Sequence, residues 1–435
     1  MSDTKPLPPP GQLPPPSGPP NRSTGAYEKF RSEMVAGGAT EETATVPARD
    51  GIVGILVIVG LLVWLGVTNI WMLVLVIGLL VSVLLHEVGH FVTARAAGMK
   101  CTQFFLGLGP KLWSFRRGEV EYGLRAIPLG AFVRIVGMNN LDDVDPADED
   151  RTYRSKSYPW RMLVITAGSI MHMLIAVTLL FGVYASAGRL EDTGRVRVEA
   201  TTEGSPAELA GLQAGDVVLA IEGTAVSSRA ELVEEITSFD PGDEVTFTYE
   251  RDGVTNEATT VLVQHPQVTD EDLAYLGVAS DSLAYVDQSL GQALVHSVGD
   301  LVEGSVRSVE GMVKVLNPVN QWQHLTGQRD DLATRPTTVV GVTQVAGDIG
   351  GLDGLKGVLA LLAGVNVFVG LFNMLPLLPF DGGHAAIATY ERLRSRGGRR
   401  YYADVSKMMP VVVGVISLLA FLMFTGLYLD ITQPL

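Results

Sequence analysis

Cysteine is nearly absent: Cys101 stands alone in 435 residues. An intramolecular disulfide is excluded, and so is a zinc cluster built on thiolates. Any metal must be held by histidine, aspartate or glutamate, and Cys101 itself needs no role beyond packing. Charge is scarce too. Asp, Glu, Lys and Arg supply 18% of the chain against 47% hydrophobic residues, a balance too apolar for an ordinary soluble protein. Basic residues are the scarcer sign, 32 against 47 acidic, for a net charge of -15. That excess of negative charge repels a phosphate backbone and argues against a nucleic-acid partner. Nor do the first thirty residues pair a basic start with an apolar core, so no secretory signal is expected there.

Residues 1–50 instead begin with prolines, as in Lys5-Pro6-Leu7-Pro8-Pro9-Pro10, and continue polar. Such a segment buries too little apolar surface to fold and is expected to be a disordered cytoplasmic tail. From Gly51 to Ala97 the chain turns almost wholly apolar. As one helix this run would be about 70 Å long, more than twice the hydrocarbon thickness of a bilayer, so it must break. Thr68-Asn69 is the natural corner, giving spans near 52–67 and 70–96. Further runs near 162–186, 358–378 and 410–427 make five spans, or four if the first only dips into the interface.

Basic residues orient the spans. Lys100, Lys111, Arg116, Arg117, Arg125, Arg134, Arg151, Arg154, Lys156 and Arg161 crowd the segment between the second and third. Arg392, Arg394, Arg396, Arg399, Arg400 and Lys407 precede the last. The positive-inside rule puts both segments in the cytoplasm. The stretch from Leu190 to Gly350 then lies outside, and it fits that no lysine occurs between Lys156 and Lys314. Within it, residues 190–268 read as a small α/β domain. Val245–Tyr249 alternates like a strand, Asp252-Gly253 makes a hairpin turn, and Arg229–Phe239 has helical spacing. Residues 269–350 read as a linker with an amphipathic helix, and 351–435 as the second half of the membrane core.

The densest chemistry is Leu85-His86-Glu87-Val88-Gly89-His90. Four residues apart on a helix, His86 and His90 share a face and reach one metal ion, while Glu87 can take a proton from a metal-bound water. Ionisable groups at the end of an apolar span are costly and default to function. A catalytic zinc takes three protein ligands and leaves a position for water. The third candidate is Asp381, in Asn373-Met374-Leu375-Pro376-Leu377-Leu378-Pro379-Phe380-Asp381-Gly382-Gly383-His384. There two prolines break a helix and a glycine pair permits a tight turn. His384 is the rival ligand.

Together these two blocks resemble the site-2 protease family of intramembrane zinc metalloproteases. Phe105-Leu106-Gly107-Leu108-Gly109-Pro110 and Glu121–Val133 extend the likeness. The run Gly204–Asp216 with Ile221-Glu222-Gly223 resembles a bacterial PDZ domain, as in the members that cleave anti-sigma factors. The resemblance implies a multi-span helical protein of the bacterial cell membrane with an inserted extracytoplasmic PDZ-like domain and a membrane-associated β-hairpin near 103–136. It further implies zinc on His86, His90 and Asp381, Glu87 as general base, and Asn373 on the substrate backbone or oxyanion. The segment Tyr122–Val133 would offer the substrate an edge strand, and a transmembrane protein, such as an anti-sigma factor, would be the substrate and partner. One departure stands out. The family's Gly-Pro-x-x-Asn element corresponds to Gly168-Ser169-Ile170-Met171-His172. His172 is expected to contact substrate as a hydrogen-bond donor, or else to add a zinc ligand or mark reduced activity. Two other readings stand beside this one: a membrane zinc protease using a downstream glutamate as third ligand, and a non-catalytic PDZ-bearing scaffold with a vestigial metal site.

Overall fold

The computed structural model describes residues 48–138, 142, 144–266, 273–328, 331, 334–395 and 400–434. Residues 1–47 of the tail expected to be disordered lie outside these residues, as do Arg396 and Arg399, while its last three residues begin a helix. The chain divides into two compact units, one drawn from Met1–Leu179 and Asp300–Leu435, the other from Leu180–Gly299.

The first unit opens with helix α1 (Ala48–Thr68) and helix α2 (Ile70–Ala96). The break between them falls at Asn69, whose side-chain oxygen accepts from the Trp71 and Met72 amides at 2.9 and 3.3 Å. It caps the N–H groups that a new helix leaves without partners. Strands β1 (Cys101–Arg117) and β2 (Val120–Ile135) follow. Both bend midway, so their halves pair separately: Phe115 faces Tyr122 and Arg117 faces Val120, whereas Cys101 faces Ile135 and Phe104 faces Val133. Phe105 pairs with both Gly123 and Phe132. Cys101–Leu106 is therefore interior, and Ala131–Ile135 is an outer edge. At the bend Gly107 has φ +91°, and a Cβ there would meet the Ile127 carbonyl oxygen at 2.7 Å. Buried Arg125 stacks on Phe105 and Phe132 and donates to the Gly109 carbonyl at 3.0 Å, pinning the fold-over. Burial pushes the Cys101 thiol up to about 12, consistent with an inert packing residue. Helix α3 (Tyr158–Ala187) ends this half.

The second unit is an antiparallel sheet in the order β7-β3-β4-β5-β6. Its strands are β3 (Arg189–Thr201), β4 (Val217–Ile221), β5 (Glu244–Arg251), β6 (Val254–Val261) and β7 (Val278–Val286), with helix α4 (Arg229–Thr237) between β4 and β5. Val196, Val198, Val218, Ile221, Leu232 and Phe247 form its core. The sheet runs past the expected boundary at residue 268, because β7 pairs with β3 along most of its length. The residues that β7 buries are Ser280 and Ser282, so no apolar alternation advertised it as a strand. Asp216 is buried and bonded to Arg251 through both oxygens at 2.7 Å. Burial raises its carboxyl, but the Arg251 hydrogen bonds outweigh that and hold it below the usual range. A depressed folded pKa gives stability that is complete above the unfolded value, about 3.9, and lost as pH falls through the folded one. Melting of residues 180–299 is thus expected to drop for Asp216→Asn at neutral pH, with the gap from wild type closing in acid.

Helix α5 (Leu290–Val315) follows, with exposed Val295, Val298, Val302, Val306, Val309 and Val313 at helical spacing. The first unit then resumes with α6 (Pro318–Leu325), α7 (Val339–Asp353), α8 (Leu355–Phe372), α9 (Asp381–Arg394) and α10 (Met409–Thr432). Helix α8 stops at Phe372, earlier than the expected span end near 378. Pro376 and Pro379 supply no amide hydrogen, and the loop closes instead through the Gly382 amide donating to the Asn373 carbonyl at 2.8 Å. Among the described residues, α1, α2, α3, α8 and α10 are long and apolar enough to cross a membrane.

Candidate metal centre

Helix α2 carries His86 and His90 one turn apart, both buried. Two glycines bring α3 against that turn: a Cβ on Gly89 would meet the Ala167 carbonyl oxygen at 2.8 Å, and one on Gly168 would strike the His86 ring and lie 2.5 Å from His90 Nε2. Small residues let helix backbones approach this closely inside a membrane. The approach places the Val164 carbonyl oxygen 2.6 Å from His90 Nδ1. A carbonyl only accepts, so Nδ1 carries the hydrogen and Nε2 keeps its lone pair, the arrangement a metal-binding imidazole needs.

The third group arrives from far along the chain. Asp381 opens α9, and its Oδ2 lies 3.3 Å from His86 Nε2 and 3.2 Å from His90 Nε2. The two Nε2 atoms are 3.1 Å apart. Two ligands about 2.0–2.1 Å from one zinc at a tetrahedral angle are separated by about 3.3 Å. The triangle therefore matches one face of a zinc coordination sphere. Its chemistry fits as well. Asp381 Oδ2 is buried without an aligned hydrogen-bond donor among the described residues, so three lone-pair atoms crowd together as a cation would require.

Glu87 lies beside this face, its Oε1 3.9 Å from His86 Nε2. Its other oxygen accepts from the Val133 amide at 3.0 Å. Val133 belongs to the outer edge of β2, so the carboxylate rests against a strand edge on which no further strand pairs among the described residues. His172 is buried on α3 with its ring centroid 5.0 Å from that of His86. Its Nδ1 is 2.8 Å from Asn366 Oδ1, while Asn366 Nδ2 donates to the Leu362 carbonyl. That second bond fixes which way the amide points. Oδ1 accepts, His172 Nδ1 donates, and neutral Nε2 is left an acceptor. The expected donor role is therefore turned around by Asn366, which the sequence reading passed over although an asparagine inside an apolar span is itself a signal.

Among the described residues, the acid and histidine side chains close enough to share a metal are His86, His90 and Asp381. His384 is outside that group and lines a separate cavity with Tyr153, Arg161 and Glu391. The downstream glutamates are outside it too. Asn373 is tied to the site by its backbone, through the Gly382 bond above. The supporting groups that spacing alone did not reveal are Gly168, Asn366, the Val164 carbonyl and the Val133 amide.

Known proteins resemble most of this chain in sequence. Residues 74–420 match the family model described as Peptidase family M50. The "Zinc metalloprotease Rip1" of Mycolicibacterium smegmatis is 31% identical over 398 residues, which cover 82% of this chain and 96% of that protein. The "Zinc metalloprotease RasP" of Shouchella clausii is 26% identical, over 73% of this chain and 89% of its own. Among solved structures, the PDZ domain of an SdrC-like protein from Listeria monocytogenes is 26% identical, covering 20% of this chain and 85% of that one at a TM-score of 0.18. The match to the family model spans most of the sequence, and the chain belongs to peptidase family M50, as a zinc metalloprotease.

Proposed function

We propose that His86, His90 and Asp381 hold the zinc ion, that Glu87 is the general base, and that the peptide bond cut lies in or near a membrane-spanning segment of a protein substrate. The observation that carries this reading is the triangle of 3.1 to 3.3 Å formed by two imidazole nitrogens of one helix and a carboxylate oxygen nearly three hundred residues later. Zinc, when bound, acts as a Lewis acid and lowers the pKa of water toward neutrality. The chain does the rest. Glu87 takes a proton through Oε1 and returns it to the leaving amine, while the Val133 amide keeps its other oxygen in place. His90 is locked in its ligating tautomer by the Val164 carbonyl. Neutral His172 accepts a hydrogen bond through Nε2, from the attacking water or a substrate amide, and Asn373 donates to the substrate carbonyl as negative charge develops there.

A helical substrate hides its carbonyls in backbone hydrogen bonds, so it must unwind before attack. The outer edge of β2 beside Glu87 suits an incoming extended segment, which gains main-chain bonds there by strand addition. The sheet of residues 189–286 then serves, as a PDZ-like domain outside the membrane, to filter substrates by size or to bind a clipped tail. The basic segments between spans favour an active site near the cytoplasmic face of a bacterial membrane. An anti-sigma factor is the kind of substrate the family resemblance favours.

The test is cleavage of a single-span substrate reconstituted with the purified protein. Cutting is expected in or beside the apolar segment, stopped by a chelator and restored by zinc; chelator-resistant cutting contradicts the assignment. Asn366→Leu releases the His172 tautomer and is expected to lower kcat about tenfold to a hundredfold, as losses of supporting bonds do at metal sites, with zinc content unchanged. Equal turnover by Asn366→Leu and wild type, measured on the same substrate, removes His172 from the mechanism.

A further inference from the structure

A cavity of about 330 Å³ lies beside the first turn of α3, walled also by the end of α9 and by Arg400, Tyr401 and Tyr402. Five of its lining side chains are cationic, namely Arg154, Lys156, Arg161, Arg392 and Arg400, and Glu391 is the acidic one. Arg161 bonds Glu391 at 2.6 Å and Arg154 bonds Glu149 at 2.6 Å, so those two are matched. The other three are not. Lys156 Nζ donates to the Asp150 carbonyl at 2.8 Å and Arg400 to the Ser155 carbonyl at 3.1 Å. Among the described residues, neither these two nor Arg392 has a carboxylate within ion-pair distance. In a chain with fifteen more acids than bases, three such cations around one cavity are a selective charge imbalance. Clustered like charges in a concave site repel one another unless an anion enters.

The depth of the cavity says which anion. Tyr158 begins a candidate membrane span and lines the cavity, and half-exposed Trp160 is two residues on. Tyr401 and Tyr402 line it as well. Tyrosine and tryptophan settle where hydrocarbon meets water, at the level of lipid headgroups. Guanidinium groups grip phosphate through paired N–H bonds, and basic pockets at this depth suit lipid phosphates. The volume is that of a small-molecule site and leaves room for more than a bare ion. We propose that this cavity binds the phosphate headgroup of an anionic phospholipid, held by Lys156, Arg392 and Arg400. The same walls carry α3, which presses Gly168 onto the zinc ligands, and α9, which begins at Asp381. A lipid seated there fastens together the two helices that complete the metal centre.

The experiment is native mass spectrometry of the full-length protein in detergent with limiting phosphatidylglycerol, phosphatidylcholine or inorganic phosphate. Wild type is expected to retain phosphatidylglycerol but not phosphatidylcholine, and to keep it against millimolar inorganic phosphate. Retention should fall as salt rises. The combined variant Lys156→Gln, Arg392→Gln, Arg400→Gln is expected to retain at least about tenfold less, since each basic group near the surface strengthens the attraction. The charge-keeping combination Lys156→Arg, Arg392→Lys, Arg400→Lys should retain most of the lipid. Unchanged retention in the glutamine variant, or indifference of wild-type retention to salt, overturns the proposal. Displacement by inorganic phosphate also overturns it and assigns the cavity to a free anion. Zinc content is read in the same spectra, so a failure here is distinct from a failure of the metal site.

Discussion

Glu87→Gln is expected to retain zinc at the wild-type level and to lose about 10²–10⁴ in kcat, the range that a positioned general base contributes. The expectation follows from geometry. Glu87 stands 3.9 Å from His86 Nε2, too far to replace a ligand and close enough to reach a water beside the three donors. Its second oxygen is held by the Val133 amide, a bond that the glutamine oxygen can keep. The substitution therefore removes the base and little else. Zinc measured on the same sample as turnover separates the two functions. Loss of metal along with activity would mean that Glu87 is itself a ligand, and full activity would remove it from the reaction.

Gly168→Ala is expected to abolish zinc binding without touching a ligand. An alanine Cβ at this position would strike the His86 ring and lie 2.5 Å from His90 Nε2. The His90 ring has little room to give way, because its Nδ1 is held 2.6 Å from the Val164 carbonyl oxygen. Overpacking of this kind costs about 1–3 kcal/mol, and here the strain falls on the metal ligands. Zinc content is expected to drop at least about tenfold, as it does when groups that orient ligands are disturbed. Ser169→Ala, one residue on, should hold zinc as wild type does. Equal zinc in the Gly168 and Ser169 variants would show that the close approach of α2 and α3 does not shape the site.

The proposed ligand set is legible in the sequence because each of its two blocks is local. His86 and His90 are related by one helical turn, and Asp381 is set off by Pro379 and Gly382. What lay between those blocks was not legible. Gly168 is one of 48 glycines, and only a packed helix pair reveals that its missing side chain makes room for two imidazoles. The Val164 carbonyl and Val133 amide belong to the backbone, which every residue possesses, so no composition marks them. Asn366 did carry a signal, an amide inside an apolar run, and reading it would have set the His172 tautomer in advance. The hairpin near 103–136 was read as one strand pair. Its fold-over rests on Gly107 at positive φ and on Arg125 packed against two stacked phenylalanines, contacts whose partners lie as far apart as Phe105 and Phe132. Strand β7 was missed because serines, not aliphatic residues, fill its buried face.

The proposed chemistry needs three side chains to meet at one ion. Metal analysis of purified wild type, Asp381→Ala and His384→Ala tests that most directly. One zinc per chain is expected in wild type and in His384→Ala, with zinc lost from Asp381→Ala. Full zinc in Asp381→Ala, or loss of it from His384→Ala, would contradict the assignment and move the third ligand elsewhere in the chain.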